Sequence, residues 1–165
     1  MDCGNERVAM NLFDNLRRRL GREDSGERRL TLREVSCSED VTQGVEYVYH
    51  ILDADSGEHI GRMELRLGHA PAIAFLGNVG YSIRLHYRGH HYAAEACRLL
   101  APIAREKGMD YLTITCDTDN EASRKTIESL GAAPLGKLER KVYLTAGQSY
   151  RHEKFNYRWD LNSDL

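Results

Sequence analysis

The chain has 165 residues, 41% hydrophobic and 29% charged, which is typical of a single globular domain with a sizeable core. It carries 23 Lys plus Arg against 25 Asp plus Glu, a formal net charge of −2. This balance argues against nucleic acid or an anionic membrane as the main partner.

Targeting and redox signals point to a cytoplasmic protein. No apolar run approaches the roughly 18 to 20 residues that span a bilayer, and charges interrupt the first thirty residues where a signal peptide needs an apolar core. The four cysteines contain no C-x-x-C pair. We therefore expect reduced thiols and no membrane partner.

The N-terminal part predicts a helix and a linker. Apolar residues recur at helical spacing over residues 9–20, and residues 21–27 contain nothing apolar to bury. We assign residues 1–28 to this helix and linker, and residues 29–165 to a single domain.

The first half of that domain predicts strands. Alternating or β-branched segments cover residues 30–35, 45–52, 59–67 and 79–85. The sequence Asp-Ala-Asp-Ser-Gly at 53–57 predicts a tight turn, so the second and third strands form a hairpin. A loop is expected around Pro71.

The second half alternates helices and strands. A helix is predicted from Tyr92 to Lys107, a strand over 111–116, and a helix with Thr118 as N-cap and Glu121 as its capping-box partner. Strands over 137–144 and 155–161 end the chain. The polar loop 145–153 between them either covers an acceptor site or is a plain connection. The last strand offers an edge for pairing in a homo-oligomer.

Two polar segments follow neighbouring strands and meet at one edge of the sheet. A helix start next to Gly89 exposes backbone N–H groups suited to a phosphate, and Arg88 adds a charged contact. Asn120 and Ser123 begin the next helix, where they either hydrogen-bond a ligand or act as helix caps. Carboxyl ends of neighbouring strands are where nucleotide-like ligands bind in open α/β sheets.

Over residues 80–132 the sequence resembles the GCN5-related N-acetyltransferase (GNAT) superfamily. The family's pyrophosphate loop, Q/R-x-x-G-x-G/A, aligns with residues 88–93, and Asn120-x-x-Ser123 resembles its second cofactor motif. The form Asp-x-x-Asn-x-x-Ser is similar to the branch that includes ribosomal-protein N-terminal acetyltransferases. The resemblance implies a mixed, mainly antiparallel α/β sheet of about six to seven strands, splayed centrally and flanked by helices.

The resemblance also implies acetyl-CoA as cosubstrate, bound where the strand 79–85 splays from the strand 111–116. Main-chain groups of one segment would face the diphosphate: His90, His91, Tyr92 and Ala93. Main-chain groups of another would line the pantetheine and acetyl group: Ser82, Ile83 and Arg84. Asn120 and Ser123 would border the thioester, and an N–H near Ile83 could stabilise the oxyanion.

Three positions depart from the family pattern. His91 stands where the loop has its central glycine, so either the backbone there tolerates a side chain or the phosphate pocket is altered. Ile127 stands where many members have a tyrosine that protonates the thiolate. Only residues 36–44 separate the first two strands, where members place two helices.

Candidate acids and bases follow from the strand pattern. Glu64 lies on the polar face of its strand, where it either accepts a proton from an amine or forms an ion pair. Ser123 or Tyr81 could protonate the leaving thiolate. His86, His90 and His91 invite a metal interpretation, but nothing completes a ligand set, so we expect no metal.

The sequence therefore predicts an N-acetyltransferase acting from acetyl-CoA on a primary amine of a small molecule or peptide. Two alternatives stay open. The first is a catalytically silent acyl-CoA-binding module. The second is an RNA- or ribosome-associated protein that uses the arginines at 17–19, 22, 28 and 29, which interspersed acidic residues offset.

Overall fold

The computed structural model describes residues 29–40, 44–68, 71–144 and 148–161. The predicted N-terminal helix and linker, and with them most of the arginine run, lie outside the described residues. The described arginine of that run, Arg29, forms an ion pair with Asp55.

The first sheet has four antiparallel strands in chain order. Their bounds are β1 (Leu30–Asp40), β2 (Gly44–Asp53), β3 (His59–Arg66) and β4 (Val79–Ile83). All four strands were predicted, although β1 runs five residues beyond the predicted end at Val35. The turn after β2 forms as expected, because buried Asp53 accepts hydrogen bonds from the backbone N–H groups of Asp55 and Ser56.

The prediction of a plain loop around Pro71 is wrong, since a short helix, α1 (Pro71–Leu76), stands there. Proline suits a first helical turn, where an N–H would have no partner. Ile73 is buried and Phe75 half-buried. These apolar contacts hold α1 against the second sheet.

β4 is followed by a 3-10 turn, Leu85–Tyr87, so the predicted strand ends two residues early. The long helix α2 (Tyr92–Glu106) then begins as predicted. Its buried face includes Ala96, Cys97 and Leu100. Gly108 beyond its end has a φ of 84°, the left-handed conformation expected of a C-terminal glycine.

The second sheet has the order β5-β7-β6 and is antiparallel. Its elements are β5 (Tyr111–Asp117), α3 (Glu121–Ser129), β6 (Ala133–Tyr143) and β7 (Ser149–Asp160). The prediction of a loop up to residue 153 is wrong, because β7 already starts at Ser149. The predicted edge is also wrong, since β7 lies between β5 and β6 from Lys154 onwards.

With these two sheets the described chain has seven strands flanked by helices, which confirms the predicted mixed, mainly antiparallel α/β fold. The core lies where α2 and α3 cover one face of both sheets. Met63 and Leu65 reach it from β3, and Leu112 and Ile114 from β5. The opposite face carries the alternate, more polar residues of the same strands.

Cys97 at the centre of this core gives a pH-dependent stability. Burial raises the pKa of its thiol from 9.0 to about 12. Above pH 9 the unfolded chain loses this proton and the folded chain keeps it, so stability falls as pH rises. We expect this group to lower the free energy of unfolding by about 1.4 kcal/mol per pH unit between pH 9 and 11.

Urea unfolding over that pH range measures the slope, with Cys97→Ala as the control. The variant is less stable at every pH because it loses packing. Its stability nevertheless falls less steeply with pH. An unchanged slope in the variant would contradict the assignment.

Candidate active site

The two sheets meet at Asn78, which immediately precedes β4 and is fully buried. Its main-chain N–H donates to the Thr113 carbonyl at 2.7 Å, and its side-chain Oδ1 accepts from the Thr113 N–H at 2.7 Å. Its Nδ2 donates to the carbonyls of Arg66 and Gly68, at 2.9 and 2.7 Å. A single side chain therefore joins β5 to the first sheet.

Beyond Asn78, β4 and β5 separate and are not paired as a ladder. Both start at the same end, because Gly68 contacts both Asn78 and Met109 just before β5. At the far end, Tyr81 reaches Ser123, beyond the end of β5. The strands thus run in the same direction and open like a V, as the predicted splay requires.

The inner edge of β4 presents free main-chain groups to this opening. The Asn78 carbonyl accepts from Arg66 N–H, and Arg84 N–H donates to the Ile60 carbonyl. Because successive residues of a strand point their N–H groups to opposite edges, Ile83 directs its N–H into the opening. Ser82, Ile83 and Arg84 were predicted to line the opening by main-chain contacts. Ser82 and Arg84 instead direct their N–H groups to β3.

The turn from β4 into α2 has the shape of an anion site. The Arg88 Nε donates to the Ile83 carbonyl at 2.9 Å, which holds the turn closed. Gly89 has a φ of 86°, and the first helical bond is that from Glu95 N–H to the His91 carbonyl. The N–H groups of Tyr92 and Ala93 precede that bond, so they are free of helical partners and point out of the helix start.

His91 adopts a φ of 60° and is the only non-glycine residue with positive φ in the described part of the chain. The backbone therefore keeps the left-handed conformation that suits glycine, and the imidazole is exposed. The sequence left open whether the backbone at His91 tolerates a side chain or the phosphate pocket is altered. The geometry favours the first alternative.

We expect His91→Gly to raise the free energy of unfolding by about 0.5–1 kcal/mol. The left-handed conformation costs a non-glycine residue about 1–2 kcal/mol, and the greater flexibility of glycine in the unfolded chain offsets part of the gain. Urea unfolding at neutral pH measures the change. His90→Gly is the matched control and should lower stability; equal effects of both variants would contradict the expectation.

Asn120 and Ser123 lie on the opposite side of the opening, at the start of α3. The predicted N-cap Thr118 is wrong, because Asn120 caps the helix by accepting the Ser123 N–H at 3.0 Å. Glu121 does not reach back either, since its carboxylate pairs with Lys125 at 2.8 Å. That pair lowers the pKa of the Glu121 carboxyl.

The two predicted thiolate acids touch each other. The Tyr81 hydroxyl and Ser123 Oγ are 2.8 Å apart. Burial raises the pKa of Tyr81 above its ordinary value, so the phenol stays protonated and able to donate. Ile127, which stands where many family members have a tyrosine, is fully buried in the core. The tyrosine hydroxyl next to Ser123 is instead that of Tyr81.

Glu64 is held in ion pairs on the sheet face away from α2. Its carboxylate pairs with Arg66, and with Arg62 at 3.1 Å. Arg66 also pairs with Glu46 at 3.0 Å. Both oxygens of the Glu64 carboxylate are therefore engaged by guanidinium groups. The role of Glu64 as a base stays a prediction.

Sequence reasoning missed a second polar group on that face, the pair of His152 and Asp117. His152 Nε2 lies 2.7 Å from Asp117 Oδ1. The pairing of β5 with β7 brings these two residues together. His152 lies in the segment 145–153, which was predicted as a loop, so its sequence carried no signal for this pairing. Among the described residues, no group of three or more His, Cys, Asp or Glu is placed to hold a metal ion.

A family model described as an acetyltransferase (GNAT) domain matches residues 13–133, more than half of the chain. The chain belongs to the GNAT acetyltransferase family. This confirms the resemblance carried by residues 88–93 and by Asn120 and Ser123. A search of curated protein sequences finds no match.

Solved structures of acetyltransferases share the fold. A ribosomal-protein-S5-alanine acetyltransferase from Vibrio fischeri has a TM-score of 0.55 at 16% identity, covering 72% of this chain and 63% of its own. A Salmonella typhimurium acetyltransferase that modifies the N-terminal serine of ribosomal protein L7/L12 has a TM-score of 0.54 at 18% identity. The match covers 70% of this chain and 63% of that protein.

A third acetyltransferase structure contains acetyl-CoA. The microcin C7 self-immunity acetyltransferase, in complex with acetyl-CoA and AMP, has a TM-score of 0.53 at 20% identity, covering 70% of this chain and 61% of its own. This chain thus spans less than two thirds of the length of all three. None of the helices in the described part of the chain is long and apolar enough to cross a membrane.

Proposed function

We propose that this GNAT protein transfers the acetyl group of acetyl-CoA directly to a primary amine. The observation that carries the proposal is the unpaired inner edge of β4, which leads through the left-handed turn at His91 into the free N–H groups of α2. The edge of β4 thus offers hydrogen bonds to the amide-containing pantetheine arm of acetyl-CoA, and the start of α2 offers them to its diphosphate.

Each part of the site has a role in this reaction. Residues Arg88 to Ala93 would hold the diphosphate, and Ile83 N–H would stabilise the oxyanion as the amine attacks. Acetyl-CoA, when bound, supplies the thioester carbonyl. Ser123, with Tyr81 hydrogen-bonded behind it, would give a proton to the leaving sulfur. Asn120 holds Ser123 in place as the helix cap.

The acceptor is proposed to be a small-molecule or peptide amine. The Vibrio enzyme is described as a ribosomal-protein-S5-alanine acetyltransferase, and the Salmonella enzyme as one that modifies the N-terminal serine of L7/L12. Peptides beginning with alanine or serine, beside spermidine and free amino acids, therefore form the acceptor panel. We place the reaction in the cytoplasm.

Calorimetric titration with acetyl-CoA tests the cofactor site, with ATP as the comparison ligand. We expect acetyl-CoA to bind more tightly than ATP, and Arg88→Ala to weaken acetyl-CoA binding about tenfold through loss of the charged contact and of the closed turn. Arg84→Ala is the matched control, because its guanidinium binds the His59 carbonyl on the side of β3.

Absence of acetyl-CoA binding at millimolar concentration would overturn the proposal. Binding without transfer to any member of the panel would favour the silent acyl-CoA-binding module. A steep loss of RNA binding with rising salt, without acetyl-CoA binding, would favour the nucleic-acid alternative.

A further inference from the structure

The pair of His152 and Asp117 lies where β5 ends and β7 continues past it. Asp117 is the last residue of β5, and its cross-strand partner is Lys154. His152 is two residues earlier on β7, so both side chains lie on the same face of the sheet. The side chains of His152 and Asp117 are one third and nearly one half exposed, with relative areas of 33% and 46%.

The pair borders an open cavity of about 340 Å³. The cavity is lined by Asp117, Thr118, Asp119, Arg151, His152 and Glu153. On the other side, the Phe75 ring packs edge-on against the imidazole at 5.3 Å between centroids. An acceptor of modest size can therefore reach the imidazole from the cavity while Phe75 supports the ring from behind.

The contact with Asp117 fixes which ring nitrogen is basic. A carboxylate only accepts hydrogen bonds, so His152 Nε2 carries the proton that joins them. In the neutral ring Nδ1 then holds a lone pair. Within the part of the chain that the structure describes, the Asp117 contact is the only hydrogen bond of the His152 side chain. Nδ1 is therefore available to take a proton.

The position along the strands brings this imidazole to the opening between the sheets. Asn78 and Thr113 are hydrogen-bonded, Ser82 follows Asn78 by four residues, and Asp117 follows Thr113 by four. At about 3.3 Å per residue, Ser82 and Asp117 reach the same height, roughly 13 Å above the junction. Asp117, with His152 bonded to it, thus lies at the height of Ser82 and Ile83, the latter being the residue expected to hold the oxyanion.

We propose that His152, oriented by Asp117, is the base that deprotonates the acceptor amine. The inference rests on the proposed acetyl transfer. His152 Nδ1 takes one proton from the ammonium form of the acceptor, and the freed nitrogen lone pair forms the C–N bond. The C–S bond breaks with its electron pair on sulfur, and a second proton from the nitrogen reaches that sulfur through the Ser123 hydroxyl. The imidazolium then releases its proton to water.

This assignment differs from the base that the strand pattern suggested. Glu64 pairs across the sheet with Gly80, below the height of Ser82, and two arginines hold its carboxylate. The charged groups that face or flank His152 are of both signs: Asp117, Arg140, Arg151, Glu153 and Lys154. Glu64 thus lies lower along the strands than the pair of His152 and Asp117.

Two nucleophiles of different basicity test the proposal in full-length protein with acetyl-CoA. Ethylamine must lose a proton before it attacks, whereas hydroxylamine is largely unprotonated at neutral pH. We expect His152→Gln to slow transfer to ethylamine about 100-fold and to slow transfer to hydroxylamine far less. Asp117→Asn should slow the ethylamine reaction by about tenfold and leave calorimetric acetyl-CoA binding unchanged.

Glu64→Gln tests the competing base, and His50→Gln is the control, at a ring that contacts His59 in the first sheet at 4.4 Å between centroids. A large loss with ethylamine and a small loss with hydroxylamine in His152→Gln, but not in Glu64→Gln or His50→Gln, would support the proposal. Equal losses with both nucleophiles, or a loss in Glu64→Gln but not in His152→Gln, would overturn it. A wild-type protein that binds acetyl-CoA but acetylates neither nucleophile would also overturn it, whereas one that does not bind acetyl-CoA overturns the proposed function itself.

Discussion

Asn78→Ala is expected to lower the free energy of unfolding by about 3–5 kcal/mol. The substitution removes three side-chain hydrogen bonds, to Arg66, Gly68 and Thr113. Each bond contributes about 1 kcal/mol net, and the partners left without one cost about 1–3 kcal/mol each when buried. Urea unfolding at neutral pH measures the loss.

Because Asn78 joins the sheets, the same variant should also weaken acetyl-CoA binding in the opening above it. For the loss of stability, Asn120→Ala is the matched control, since it removes one exposed capping bond and should cost about 1 kcal/mol. A loss for Asn78→Ala no larger than that of the control would contradict the bridging role.

Gly61→Ala should destabilise the protein by about 3 kcal/mol. A Cβ at this buried position of β3 would stand 2.3 Å from the Ser82 carbonyl and 3.1 Å from the Ile83 side chain. The carbonyl belongs to the backbone of β4 and moves only with the strand, so the strain of overpacking is large. Thermal unfolding and acetyl-CoA titration together measure the effect on the fold and on the edge of the opening.

Gly80→Ala on the facing strand is the control for this effect. Its Cβ would stand 2.8 Å from Glu64 Oε2, the end of a flexible side chain that can rotate away. We expect a loss below about 1 kcal/mol. The steric interpretation fails if the two alanine variants are equally stable.

Local patterns were enough to predict most elements of this fold. Alternation in β2 and β3, with the turn at Asp53, gave the hairpin, and Gly89 ahead of Tyr92 gave the start of α2. These signals are local because period-two burial and helix ends depend on neighbours in sequence. For the same reason the turn between β4 and α2 was predicted in advance.

The contacts that sequence reasoning missed are those between distant segments. In the sequence alone, Asn78 has the pattern of an ordinary loop residue, because its contact with Thr113 is visible only in the fold. His152 fell in a predicted loop, and its partner lies 35 residues away. Thr118 was a reasonable cap by spacing, yet the helix begins later at Asn120. Such choices depend on the tertiary register of the strands, which a single sequence does not specify.

The pairing of β5 with β7 ends at Asp117 and Lys154, while β6 and β7 continue together to Tyr143 and Ser149. The outer part of this hairpin is therefore a ribbon of two strands, which has little stability of its own in water. Fraying of the ribbon would separate His152 from Asp117 without unfolding the core. The lifetime of that pair is thus governed by local opening, and a ligand that bridges the ribbon and β5 would lengthen it.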